Sequence, residues 1–448
     1  MTRQTRTTIA LALLALLALI ASACSTTAPG NTAVPSASNH PSQPSSGTKA
    51  APPSSPVATP STPAAEQASD TTRVNAPPGG TLLVHGAYPK VPSRCVRYQR
   101  PRLAARYPGA LSVRRSDDGT LSLTLTLPFE DYLEGIAEVP SSWPRAALEA
   151  QAIAARSYAL ASTGWEGSQG ETLKTPICAT TSCQVYRGIP VPFDPTVRRW
   201  FGAVRRTVGQ VLLYEGRPAD TVYFSTSNGH TYGNDAVFGS APLPYLRPVV
   251  ERDDGASPLS HWRVRLPFGD VARFLHEAAE WPAHRSVTGV RLDGSTVTVQ
   301  GDGHERSMDL TTFRDAINEW GPCLAPDRYP PSPLPVTLPS RWMTMSSGPD
   351  AALAVGRGWG HGVGMVQWGA YGKARRGLSA SQILAYYYGG LRPETYPEPG
   401  LIHVQVASGL TSIRVVPSGT GATVEGQPLD APRVTIAGGD ELSVTPGT

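Results

Sequence analysis

Residues 128–161 read PFEDYLEGIAEVPSSWPRAALEAQAIAARSYALA, and their spacing sets two helices around a break. Phe129, Tyr132, Leu133, Ile136 and Ala137 stand at i, i+3, i+4, i+7 and i+8, the stripe of an amphipathic helix docked on a core. Pro128 suits the first turn, where a missing N–H leaves no bond unmade. Val139 precedes Pro140, and a residue before proline is pushed out of the α region, so the helix is expected to stop within a residue of Glu138. A second helix opens at Pro144, with an Ala-rich face through Ala147, Leu148, Ala152, Ala155 and Ala159 whose small side chains imply close packing. Glu138 is left at the joint. Yet Glu130, Glu134 and Glu138 recur every four residues, so periodicity alone reads Glu138 as one member of a solvated acidic stripe.

On the N-terminal side, residues 1–23 read as a secretion signal: Arg3 and Arg6 precede the apolar run LALLALLALI, and Ala21, Ser22 and Ala23 lead into Cys24. The run is too short and too poorly flanked for a transmembrane helix. Ala21-Ser22-Ala23-Cys24 approximates a lipoprotein processing box, with Ala21 where Leu is usual. We therefore expect lipidation of Cys24 and a membrane anchor on the outer face of the cell, the alternative being simple secretion after an A-x-A cleavage. Residues 24–75 are almost wholly Pro, Ser, Thr and Ala, which bury too little apolar surface to offset ordering, and read as a tether. What remains of the 448 residues is enough for one large or two ordinary domains. We divide it into a main domain over 76–397 and a small β-rich region over 398–448.

The net charge is +4, with no dense run of Lys or Arg, which argues against nucleic acid as partner and suits an anionic wall. With Cys24 set aside, Cys95, Cys178, Cys183 and Cys323 form an even set for an oxidising compartment. Of the three possible pairings, Cys178 with Cys183 and Cys95 with Cys323 are expected. A zinc site would need two more ligands beside Cys178 and Cys183. No histidine lies between Tyr158 and Cys183, so neither metal nor cofactor is expected.

Strand signals dominate elsewhere. LSLTLTL at 121–127 alternates strictly; QVLLYEG at 210–216 and ADTVYFSTS at 219–227 read as strands; and VTGVRLDGSTVTVQG at 287–301 reads as a hairpin turning at Asp293-Gly294. Helical patterns occur at 271–281 and 310–320, and after Ser379, whose capping box uses Gln382. The mixture predicts an α+β fold, strand-rich with a few helices, with a small C-terminal β appendage. In GWGHGVGMVQWG the glycines at 358, 360, 362 and 364 never satisfy G-x-G-x-x-G, so the segment is not a phosphate loop. Alternating glycines instead bring backbone close to a ligand or another strand, which makes His361, Gln367 and Trp368 groove-lining candidates. Trp359 and Tyr386-Tyr387-Tyr388 are either aromatics that stack on a ligand or core. Ser225, Ser227 and His230 cluster in the loop ending 219–227, but no G-x-S-x-G surrounds either serine, which argues against acyl chemistry.

The segments DYLEGIAEVPSSWPRAALEAQAIAARSYAL, CQVYRG, VYFSTSNGHTY with PYLRPV, and GWGHGVGMVQWGAYG with ILAYYYGG follow in one order. Together they resemble the SpoIID/LytB family, that of stage II sporulation protein D and the amidase enhancers of bacterial cell walls, over roughly residues 79–395. The resemblance implies a lytic transglycosylase acting on peptidoglycan glycan strands, with the glutamate of an E-x-P motif, here Glu138, as catalytic acid. Such an enzyme manages with one carboxylate, because the muramic acid 6-hydroxyl of the substrate attacks the anomeric carbon. It also implies that Arg156 binds a muramic carboxylate or orients Glu138, the alternative being an arginine snorkelling beside the core. Tyr245 and Arg247 match a Tyr-x-basic site pattern, with arginine in place of lysine. Ser225, Ser227, His230, His361 and Gln367 complete the expected substrate groove. The enhancer branch supplies the alternative, a non-catalytic wall-binding partner of an N-acetylmuramoyl-L-alanine amidase.

Overall fold

The computed structural model describes residues 70–88, 103–167, 173, 175–189, 195–330 and 337–447. The signal segment, most of the tether, Cys24 and Cys95 lie outside the described residues. The fold is α+β, with eight α-helices among the described residues and many short sheets.

The alternating run Leu121–Pro128 is a strand, and Leu121, Leu123, Leu125 and Leu127 are all fully buried, as a period of two requires. It lies near the middle of a seven-stranded sheet between Ala110–Arg115 and Leu401–Leu410, both antiparallel to it. A five-stranded sheet pairs Ser412–Pro417 with Leu82–Ala87 on one side and with Arg433–Ala437 on the other. The last fifty residues are therefore β-rich as expected. Rather than standing apart, they fill places beside strands from the start of the domain, so the boundary drawn at 398 crosses two sheets.

Pro128 leads directly into helix α1 (Phe129–Glu134), which buries Phe129, Tyr132 and Leu133. Here the structure corrects the spacing argument, for α1 ends four residues short of Glu138. Gly135 caps it, and a Cβ at that position would lie 2.2 Å from the Tyr186 ring, so only glycine admits the close approach. Ile136 then bridges to Tyr186, and the Ala137 N–H donates to the Val185 carbonyl at 2.9 Å. Backbone pairing with 185–186 outbids another helical turn and carries Glu138 off the helix.

Helix α2 (Arg145–Ser162) is buried on two faces. Ala147, Leu148, Ala152, Ala155 and Ala159 join the core beneath the seven-stranded sheet, while Ala150, Ile153 and Ala154 join a second core. Small side chains on both faces let elements approach it from both sides. Next in the chain come α3 (Arg198–Arg206) and α4 (Asn234–Phe238). A third core holds α5 (Phe268–Glu277), the antiparallel pair Gly289–Asp293 and Thr296–Gly301, and α6 (Leu310–Leu324). The chain then returns through α7 (Gln367–Arg375) and α8 (Ala380–Tyr387), the latter with the expected Ser379–Gln382 capping box.

The stretch 219–227 is not the regular strand its composition predicts. Only Tyr223–Phe224 forms a ladder, parallel to Met365–Val366. The four alternating glycines explain why: all have positive φ, and a Cβ at Gly364 would stand 2.0 Å from the Val222 carbonyl oxygen. Their backbone lies against 222–227 too closely for an ordinary sheet.

Candidate active site

The break after α1, the 219–225 segment, the glycine run and the start of α7 enclose a cleft of about 810 Å³. Glu138 lines it, with Pro140, Trp143, Tyr158, Asp220, Tyr223, Phe238, Trp359, His361, Gln367 and Trp368 among its neighbours.

Glu138 is half-buried, and its Oε1 accepts the Val185 N–H at 2.7 Å. Burial raises its pKa from 4.5 to about 7, against the opposing pull of the Val185 N–H, the Gln367 side chain, the Arg187 guanidinium and the Tyr223 phenol. A carboxyl group poised there holds a proton for donation and accepts one back.

A buried relay fixes the phenol. Tyr132 Oη donates to Gln184 Oε1 at 2.6 Å, and Gln184 Nε2 donates to the Ala155 carbonyl at 3.0 Å and to Tyr223 Oη at 2.9 Å. The Tyr223 oxygen is thus occupied as an acceptor, which leaves its own proton for the Glu138 side. Gln184 is fully buried, so its amide has no water to turn toward.

His361 holds the opposite wall. Its Nδ1 accepts the Val363 N–H at 3.1 Å, so Nε2 carries the proton and donates to the Tyr223 carbonyl at 2.9 Å. Burial lowers its pKa to about 4, and the ring is neutral at physiological pH. Both nitrogens are engaged with backbone. His361 shapes the cleft and presents its ring to Phe224 at 5.5 Å and Phe238 at 5.3 Å.

The family model for the stage II sporulation protein SpoIID matches residues 117–214, the part that carries Glu138, Gln184 and Arg187. An uncharacterized protein of Brachyspira hyodysenteriae is 30% identical over 279 residues, covering 61% of this chain and 68% of the relative. Stage II sporulation protein D of Bacillus subtilis is 28% identical over 286 residues, covering 59% of this chain and 74% of that protein. The chain belongs to the SpoIID/LytB family. The amidase enhancer of Bacillus subtilis is 27% identical over 296 residues, 58% of this chain but 39% of the enhancer.

Within this SpoIID/LytB chain, Glu138, Ser225, His361 and Gln367 line one cleft. Arg156 does not. Its side chain is fully buried on the far side of α2, where Glu398 lies 2.6 Å from Nε and Glu130 2.9 Å from Nη2, and Nη1 donates to Thr207 Oγ1 at 3.2 Å. The head group is buried in ion pairs rather than snorkelling to solvent, and the cation whose field reaches Glu138 is Arg187. Tyr245 is buried against Tyr214, and its hydroxyl accepts the Asp220 N–H at 3.0 Å, so it supports the cleft wall from behind. Arg247 and His230 are exposed and outside the lining. Ser227 is buried with its Oγ on Asp254 at 2.8 Å. Of the tyrosine run, Tyr387 and Tyr388 are core, while Tyr386 stacks over the Lys373 ammonium at 4.2 Å.

The expected Cys178–Cys183 disulfide is present, with Cys183 at the cleft edge. Cys323 is also disulfide-bonded, while Cys95 lies outside the described residues. Site residues that escaped sequence reasoning include Gln184, Arg187, Tyr223 and Phe238. The first two stand in CQVYRG and the third in VYFSTSNGHTY, segments already singled out, but nothing local marks them. Their partner Glu138 is 46, 49 and 85 positions away in sequence.

Proposed function

We propose that this chain is a peptidoglycan lytic transglycosylase that works outside the cell membrane, its N-terminal segment serving for export and Cys24 for a lipid anchor. What carries the reading is Glu138, a carboxyl group with a pKa near 7 inside a cleft of about 810 Å³ lined by aromatic rings. Protonated Glu138 donates to the glycosidic oxygen as the bond from anomeric carbon to oxygen breaks. The resulting carboxylate then takes the proton of the muramic 6-hydroxyl as that oxygen bonds to the anomeric carbon. The 1,6-anhydro ring forms without consuming water, and Glu138 ends as it began. One group in both roles needs a pKa between those of acid and base, which partial burial provides. Phe238 and Trp359 offer faces for the apolar sides of the sugars, while Trp143 and Trp368, packed on each other at 4.9 Å, back the wall.

Digestion of purified wall, with mass spectrometry of the released fragments, tests this. Anhydromuramic ends are expected from the wild type and their loss is expected in Glu138→Gln; ends that persist undiminished in the variant overturn the assignment. The likeness to an amidase enhancer supports a second reading, stimulation of a separate amidase by a wall-bound chain. Stimulation retained by Glu138→Gln would separate the two.

A further inference from the structure

The cleft contains a second carboxylate that the single-glutamate mechanism leaves unused. Asp220 lines the same cavity as Glu138, and burial holds its carboxyl above the usual range. The most deeply buried acids among the described residues are matched by contrast: Glu251 meets Lys373 at 3.0 Å, Asp254 accepts from Ser227 at 2.8 Å, and Asp270 accepts from Tyr329 at 3.0 Å. The Asp220 side chain has no hydrogen bond or ion pair with any described residue. Partly buried and open to the cleft, the carboxylate meets only water in the free protein, an acceptor whose solvent a ligand donor can replace.

The backbone that carries it is rigidly held. The Asp220 N–H donates to Tyr245 Oη, and Tyr388 Oη donates to the Thr221 carbonyl at 3.2 Å and to the Val222 carbonyl at 3.0 Å. Thr221 Oγ1 donates to the Ala154 carbonyl of α2 at 2.8 Å. Three buried hydroxyls therefore fix an otherwise irregular segment, and what they aim into the cleft is a bare acceptor.

We propose that Asp220 is the sugar-positioning carboxylate of the cleft, accepting hydrogen bonds from hydroxyl or acetamido N–H groups of a neutral N-acetylated sugar while aromatic rings face the sugar's apolar sides. It rests on the glycan reading of the cleft and is independent of whether the bound strand is cleaved.

The test is titration of the full chain with the β-1,4-linked tetramer of N-acetylglucosamine, followed by tryptophan fluorescence, since Trp143, Trp359 and Trp368 line the cavity. Asp220→Ala is expected to weaken binding about ten-fold, the loss of a charge-assisted hydrogen bond, with thermal stability equal to or above that of the wild type. Asp220→Asn, whose amide oxygen still accepts, is expected to recover most of the affinity. Wild-type affinity in Asp220→Ala overturns the proposal, as does failure of the wild type to bind the tetramer. A fall in stability in both variants, with no rescue by Asn, also overturns it and assigns Asp220 to the fold. The proposal and the transglycosylase reading fail separately: tetramer binding that depends on Asp220 without anhydromuramic ends from wall sinks only the latter, and the converse result sinks only the former.

Discussion

Three glutamates one helical turn apart in sequence end in three different settings. Glu130 turns to Arg156 and Glu134 to Arg205, while Glu138 leaves the helix altogether. The stripe that periodicity suggested is dissolved by one glycine, because α1 ends at Gly135. Titration of Glu138 then carries a consequence for stability. Its folded pKa of about 7 lies above the ordinary 4.5, so the folded state binds the proton more tightly than the unfolded chain. The associated stability is complete below pH 4.5 and is lost as pH rises through 7. Glu138→Gln is therefore expected to stabilise the fold by about 3 kcal/mol at pH 8 and hardly at all at pH 4. Melting curves at the two pH values check this; an equal shift at both would contradict it. Tyr223→Phe removes a group that favours the ionised form, so the pKa of Glu138 rises further. The alkaline limb of the pH–rate profile, where the acid is lost, is expected to move upward, and a profile that keeps its position would remove Tyr223 from the site.

At the scale of elements, the helix pair was legible in residues 128–161 because its apolar spacing is local, and so was the leucine strand ahead of it. What α2 does was less legible. An Ala-rich face announces close packing without saying that two cores meet on opposite sides, and an arginine among alanines gives no sign of which side it takes. Arg156 joins α1 to α2 through Glu130, and both to the turn at Glu398. Removing one partner of a buried ion pair leaves the others uncompensated, so Arg156→Met is expected to lower stability by about 2–4 kcal/mol. Folded variant should retain wild-type KM for glycan. Chemical denaturation with steady-state kinetics distinguishes this from a substrate-binding arginine, for which KM would rise and stability hold. The 219–227 segment was misread for a related reason: its β-branched and aromatic residues suit a strand, but its partner is a run of glycines that presses too close for a ladder.

Across the whole molecule, the α+β class followed from composition and periodicity, whereas the joining of the two ends did not. Short Val- and Ile-rich strands after residue 400 say nothing about which sheet receives them. In the fold Val404 stands opposite Leu125 and Val415 opposite Val84, pairings that link the ends of the domain. A chain stopped at residue 399 is expected to lose cooperative unfolding and to be degraded by protease along the whole domain. A truncated chain that melts as sharply as the full one would show the C-terminal strands to be dispensable. The same closure sets a clock during synthesis. The strand Leu121–Pro128, which launches α1 toward Glu138, has one edge open until Leu401–Leu410 has been made. At about 5–20 residues per second that wait is roughly 15–55 s, and contacts so distant in sequence form slowly even once the strand exists. Until then the strand that feeds α1 is paired along one edge only, to Ala110–Arg115, so the sheet beneath the Glu138 joint is among the last parts of the domain to be completed.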